Sequence, residues 1–275
     1  MPSIDGKQIA EGIIAELKNR PQPKKFLAAV LIGQDPASLS FLKIKEKTAK
    51  ELNIDFRLYQ IPETIKNKPI SNDYLRKEIL RLSKPKNCGG IIVQLPLPPQ
   101  FNQNYVLNAI PPEKDVDVLS ERSLGSFYNN RFPVLPPAVG VAKEILTTYN
   151  LELKTLKVAV VGLGFLIGKP IATWLMNQKT GNICLIEKNG DLKKIAEADV
   201  IISGAGSPEL IKPAMLKENA IMIDFGYGLK NGKISGDFDA KTLTNEKIAY
   251  TPTPGGTGPI LGAKLFENFY KLKEE

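Results

Sequence analysis

The chain has 275 residues, 43% of them hydrophobic, which is enough for two ordinary globular domains and too apolar for a disordered segment. Its net charge of +8 comes from lysines interspersed with acids, with no basic block or aromatic interleaving, so no nucleic-acid partner is expected. Histidine is absent, which excludes Ser-His-Asp and Cys-His machinery and leaves proton transfer to Lys, Tyr, Asp, Glu or water. Cys88 and Cys184 are the only cysteines. Neither a disulfide framework nor a metal site is expected, and a reducing cytoplasm is the natural compartment. No apolar run reaches the length of a membrane span, so no membrane partner is expected.

Residues 3–19 carry apolar positions at helical spacing behind Asp5, a plausible N-cap. Phe26–Ile32 reads as a buried strand. Gly33-Gln34-Asp35-Pro36 reads as a turn into a helix over 38–52, with Asp35 as N-cap and Pro36 at the first helical position. A strand over 54–61, a helix over 72–82 and a strand over 89–93 follow. Gln94-Leu95-Pro96-Leu97-Pro98-Pro99 cannot continue as regular structure, because each proline lacks a donor. It forms a stiff loop at the carboxyl end of a parallel strand, where α/β sheets place ligands. A short helix over 105–110, loops over 111–117 and 134–139, and a helix over 140–149 complete the first half.

The second half opens on Lys157–Pro170. Val158–Val161 is a β-branched run, Gly162, Gly164 and Gly168 follow at once, and a helix over 171–176 begins with Pro170 in its first turn. A strand, a glycine turn and a helix N-terminus together suit a pyrophosphate. The spacing is one residue longer than the usual fingerprint, and a tight turn without a ligand is the bland alternative. Glu187 ends the next strand, 182–186, nineteen residues past Gly168, near the position of a ribose-binding acid. Apolar runs over 200–203 and 220–224 add strands at βαβ spacing. Thr251–Pro259 is too constrained for a simple linker. The helix over 261–271 presents Leu265, Phe266, Phe269 and Tyr270, a face suited to return to the first lobe.

The fold expected is α/β, two α/β lobes with a cleft between them, the C-terminal one a Rossmann-type dinucleotide-binding domain. Residues 1–147 form one domain, joined by the C-terminal helix 260–275, and residues 148–259 the other. Lys45 follows Phe41 by one helical turn. A lysine beside an aromatic ring can be desolvated into a proton carrier, although four lysines share this helix and most such lysines are solvated. Gln94 can orient a carbonyl, amine or water, or simply cap its loop. Of Asp115 and Asp117, one is expected to turn outward to a lysine and the other to accept paired N–H donors from a heterocycle.

Together these segments resemble the bifunctional methylenetetrahydrofolate dehydrogenase/methenyltetrahydrofolate cyclohydrolases. The resemblance spans nearly the whole chain: Ile4-Asp5-Gly6-Lys7, Gly33 with Pro36-Ala37-Ser38, Val93–Pro98, Lys114–Asp117, Gly168 with Pro170, Ile223-Asp224 with Gly226, Gly236-Asp237 and Thr251–Pro259. It implies catalytic roles for Lys45 and its partner Gln94, with Asp117 holding the pterin. It further implies a folate substrate lined by Phe41, Leu95, Pro96, Pro254, Gly255 and Gly256. The cofactor site would comprise Gly162, Leu163, Gly164, Gly168, Lys169, Pro170, Glu187 and Lys188. It implies oxidation of 5,10-methylenetetrahydrofolate with NAD(P), hydrolysis to 10-formyltetrahydrofolate, no metal, and a homodimer.

The chain also departs from the family pattern. Phe41 stands for Tyr, Val118 for Gly, Ser123 for Asn, Leu163 and Gly164 for Arg or Ala and Ser, and Leu261 for Thr; 135–140 also differ. Leu163 cannot serve a 2′-phosphate, and Glu187 repels one, so NAD is favoured relative to the family's usual NADP, with Lys188 as a partial counterweight. Loss of several polar contacts also leaves open a catalytically impaired folate- or dinucleotide-binding homologue. A shikimate-dehydrogenase-like enzyme is a third reading, disfavoured by the loops at Gln94–Pro98 and Thr251–Pro259.

Overall fold

The computed structural model describes residues 3–244 and 247–273. Helix α1 (Gly6–Lys18) starts as expected, where the Asp5 carboxylate accepts the N–H groups of Lys7 (2.9 Å) and Gln8 (3.1 Å). The chain forms two compact units. One comprises Ile13–Pro137 with the chain from Gly262 onward, the other the residues up to Gly12 with Ala138–Leu261.

In the first unit, β1 (Phe26–Ile32) is buried along its whole length. It leads through a turn to α2 (Pro36–Glu51), whose Asp35 cap accepts Ser38 N–H at 2.7 Å. There follow β2 (Phe56–Ile61), a small hairpin of β3 (Thr64–Ile65) and β4 (Lys68–Pro69), α3 (Asn72–Ser83), and β5 (Cys88–Val93). The sheet is parallel, in the order β2-β1-β5. Fully apolar β1 and β5 are what a strand covered on both faces requires. Beyond β5 lie α4 (Gln103–Leu107) and α5 (Glu121–Tyr128). Helix α5 is not among the predicted elements. Its signals were present, with Ser120 as N-cap accepting Ser123 N–H, but the helix is only eight residues long.

The second unit holds most of α6 (Pro137–Thr148), then β6 (Lys157–Val161), α7 (Gly168–Asn177), β7 (Asn182–Ile186), β8 (Val200–Ser203) and β9 (Ile221–Asp224). An antiparallel hairpin, β10 (Gly228–Lys230) and β11 (Lys233–Ser235), precedes β12 (Ala249–Tyr250) and α8 (Thr257–Lys271). The sheet is parallel, in the order β12-β9-β8-β6-β7. Its core gathers Val161, Ile186, Ile201, Ile211 and Met222.

Two expectations are corrected. The loop placed over 134–139 ends early, because Pro137 opens α6 at a position that needs no backbone donor. Thr257-Gly258-Pro259 is likewise the first turn of α8, not loop. Where the sequence reading divides the chain after 147 and 259, contacts divide it at 12, 137 and 261. The N-terminal segment groups with the nucleotide-type sheet because Ile4 N–H donates to Tyr250 O at 2.7 Å. The last helical turns belong to the first unit. There Phe269 packs where Gly90 lacks a Cβ, Asn268 Nδ2 donates to Val116 O (2.9 Å) and Leu135 O (2.8 Å), and Tyr270 O–H donates to Gln22 Oε1 (2.9 Å).

Candidate active site

In the first unit, α2 and the carboxyl end of β5 bring Lys45 and Gln94 together. Lys45 Nζ donates to Gln94 Oε1 at 3.0 Å, and Gln94 Nε2 donates onward to Leu95 O at 2.8 Å. Gln94 is buried at 8% exposure, and its own N–H continues the β1 ladder through Val30 O at 2.9 Å. The amide therefore cannot rotate without breaking two bonds. Burial lowers the Lys45 pKa, opposed by the negative charge of Asp117. Lys43, Lys47 and Lys50 on the same helix are exposed, so the bland reading of a lysine holds for them and fails for Lys45. Phe41, one turn earlier, is 39% exposed, and Pro96 lies exposed beside half-buried Leu95.

Asp117 completes the cluster. Burial pushes its pKa up to about 6, against the opposing pull of Lys45, and Asp115 adds to the rise. The paired-carboxylate expectation is corrected: Asp115 does not turn outward. It is fully buried and accepts the N–H groups of Leu119 (3.0 Å) and Ser120 (2.8 Å), and it pairs with Ile91 in a parallel bridge beside β5. Lys114 donates instead to backbone carbonyls of Ser83 and Pro85. Asp115 is thus the fixture that holds Asp117 beside Lys45. The turn it imposes puts Val118 at φ +58°, a strained conformation for a β-branched residue and an explanation for glycine at that place in the family pattern. Ser123, another departure, has its hydroxyl engaged by Ser120 O–H at 2.9 Å.

The second unit carries the remaining candidates. Gly162 has φ +81°, and a Cβ on Gly168 would lie 2.0 Å from Gly162 O, so both glycines are demanded by the turn's own closure. Gly164 differs: a Cβ there meets nothing within 4 Å. It is exposed, with Leu163 half-buried behind it and Lys169 exposed ahead. The N-terminus of α7 has no side-chain cap, and Pro170 is buried in its first turn. Lys169 N–H and Ile171 N–H donate to Gly164 O and Ile167 O at 3.1 Å, so what suits an approaching pyrophosphate here is the open space at Gly164 and the absence of a side-chain cap at the helix start. Glu187 and Lys188 are exposed just past β7.

Also in this unit, the loop after β12 is tied to β9. Asp224 N–H donates to Thr251 Oγ1 (2.7 Å), and Thr257 Oγ1 donates to Asp224 O (2.8 Å). Between them Pro254 is exposed, Gly255 has φ +101°, and Gly256 N–H donates to Pro252 O at 2.8 Å. Pro254, Gly255 and Gly256 therefore belong to a different unit from Lys45, Gln94 and Asp117.

A parallel sheet with a glycine turn at an uncapped helix, on a chain whose other α/β unit holds a lysine–amide–carboxylate cluster, defines a two-domain protein of the nicotinamide-dinucleotide-binding class. Residues 4–117 match the catalytic-domain model of tetrahydrofolate dehydrogenase/cyclohydrolase, and residues 136–275 match its NAD(P)-binding-domain model. The chain belongs to the tetrahydrofolate dehydrogenase/cyclohydrolase family. It is 33% identical over 283 residues to the bifunctional protein FolD of Nitratiruptor sp., covering 100% of this chain and 99% of that protein. The crystal structure of the bifunctional FolD enzyme from Campylobacter jejuni superposes with TM-score 0.92 at 31% identity, covering 100% and 99% of the two chains. That of Trypanosoma brucei FolD, complexed with NADP and an inhibitor, gives TM-score 0.89 at 26% identity, covering 100% and 98%.

Proposed function

We propose that this chain oxidises 5,10-methylenetetrahydrofolate to 5,10-methenyltetrahydrofolate with NAD(P)+ and hydrolyses the product to 10-formyltetrahydrofolate. The observation that carries the reading is the Lys45–Gln94 hydrogen bond, held beside Asp117 in a chain of this family. Burial favours the neutral amine of Lys45, so it can take a proton from the water that adds to the methenyl carbon. Gln94 Oε1 holds that amine in place; the carbinol O–H then loses its proton to solvent as the C=O forms and the C–N bond breaks, and the Lys45 ammonium returns its proton to the departing ring nitrogen. Asp117 accepts paired N–H donors of the pterin. Gly162, Gly164, Gly168 and Lys169 would hold the dinucleotide's pyrophosphate, and Glu187 its ribose 2′-OH; when bound, the dinucleotide supplies the hydride acceptor.

Formation and hydrolysis of the methenyl compound, followed by absorbance in purified protein beside Lys45→Ala, test the reading. Loss of hydrolysis in the variant is expected; equal rates in the two proteins overturn it. Leu163 and exposed Glu187 support NAD over NADP, and steady-state kinetics with both cofactors decide. A preference for NADP of about tenfold or more, roughly 1.4 kcal/mol, removes the NAD assignment. We assign a second copy as the protein partner, because β2 ends its sheet with a free edge and an exposed Leu58. Light scattering on the purified protein is expected to give twice the chain mass. Two free cysteines fit a reducing, cytoplasmic setting, and among the described residues no helix is long and apolar enough to cross a membrane.

A further inference from the structure

The first strand of the second unit, β6, pairs with β7 on one side and β8 on the other. The order of the sheet therefore reverses between β6 and β8, and open α/β sheets take ligands outside the strand ends at such a point. One wall there is the turn over 162–168. The facing wall is Gly204-Ala205-Gly206-Ser207, which leaves β8 with no regular structure of its own. The walls touch: a Cβ on Gly162 would lie 2.6 Å from Ala205 Cα, and one on Gly204 would lie 2.7 Å from Ile167 Cγ2.

Gly204 N–H still continues the ladder to Val161 O at 2.9 Å, but the N–H groups of Ala205 and Ser207 find their acceptors on a side chain. That side chain is Asp237, which is 0% exposed. Its Oδ2 accepts Ser203 O–H (2.6 Å) and Ala205 N–H (2.8 Å), and its Oδ1 accepts Ser207 N–H (2.6 Å). Asp224, at the end of β9, holds Asp237 in turn. Its carboxylate accepts the N–H groups of Gly226 (2.6 Å), Asp237 (3.2 Å) and Phe238 (2.9 Å). The pairing of two buried acids at the strand ends is costly unless each is filled with donors, and these donors are backbone N–H groups and a hydroxyl.

We propose that Asp237 is a positioning residue of the dinucleotide site, setting the 204–207 wall against the glycine turn, with Asp224 as its support. The proposal rests on the dinucleotide reading above. An ionised carboxylate only accepts, whereas an asparagine amide must aim its NH2 at a donor: Ala205 N–H and Ser207 N–H cannot both keep an acceptor.

The test is the dissociation constant of NAD and of NADP, measured by calorimetry on the full chain without folate, for the parent, Asp237→Asn and Ser203→Ala. Asp237→Asn is expected to weaken binding about tenfold or more, and Ser203→Ala, which removes one of three donors, about threefold. In turnover, the KM for dinucleotide rises while the KM for folate stays, a split that general destabilisation does not produce. Parent-like affinity in a folded Asp237→Asn overturns the proposal. Should that variant fail to fold, parent-like affinity in Ser203→Ala overturns it instead. A parent that binds neither dinucleotide removes the underlying reading, a result distinct from both.

Discussion

Replacing Gln94 in two opposite ways tests whether Lys45 is the group whose titration governs hydrolysis. Gln94 Oε1 lies 3.0 Å from Lys45 Nζ. Among the described residues Gln94 Oε1 is the side-chain acceptor bonded to that ammonium, and Gln94→Leu removes it while nearly keeping the volume. A hydrogen bond to a charged group contributes about 1.5–3 kcal/mol, and since Lys45 is only half-buried the lower end applies. At 1.36 kcal/mol per unit, the Lys45 pKa falls by about one further unit. Gln94→Glu puts a carboxylate at the same atom, and an opposite charge at such a distance raises a pKa by about 1–3 units. The neutral amine is the working form, so the rate rises with pH through the Lys45 pKa. The rising limb of the pH–rate profile for methenyl hydrolysis therefore moves to lower pH in Gln94→Leu and to higher pH in Gln94→Glu. At a pH below the Lys45 pKa of both proteins the Glu variant is slower by about 10–1,000-fold. The assay is loss of methenyl absorbance from pH 6 to 9, with ~1-unit steps resolved. Limbs that stay put, or that move the same way in both variants, refute the reasoning.

Gly168→Ala and Gly164→Ala separate the two uses of glycine in the turn. The first drives a Cβ to 2.0 Å from Gly162 O and is expected to cost roughly 2–4 kcal/mol in urea unfolding, whereas the second meets open space and stays within about 1 kcal/mol of the parent. Dinucleotide binding weakens in both, and a parent-like affinity in Gly164→Ala denies its wall a ligand. Asp224 carries a pH signature. Burial raises its folded pKa from the ordinary carboxylate value of 3.8 to about 6, so the folded state binds the proton more tightly. The stability it contributes is present at low pH and is lost as pH rises through about 6. Parent minus Asp224→Asn, read by urea unfolding, is therefore larger at pH 4.5 than at pH 7 by about 2 kcal/mol; a difference independent of pH contradicts the buried-acid account.

Periodicity and punctuation were enough for the elements that fold on local grounds. The caps at Asp5 and Asp35, the apolar runs of β1, β5, β6 and β8, and the glycine turn before α7 all stand where the residues alone put them. So does the family, because its motifs are local strings. What the sequence by itself could not supply was the physical reason that one of several equivalent side chains differs from the others. Lys45 has the same composition around it as Lys43 and Lys47; the resemblance points to it, but the physical difference, a half-buried amine bonded to Gln94, comes only from the approach of β5. By spacing alone Asp115 and Asp117 are interchangeable, and although the resemblance points to Asp117, it is the bridge to Ile91 that turns Asp115 into a fixture. Asp224 and Asp237 are thirteen residues apart, and their shared network depends on strand ends that meet only in the folded sheet. Local propensity acts over a few residues, whereas burial, donor supply and charge proximity are set by contacts far apart in the chain, and those belong to the tertiary structure.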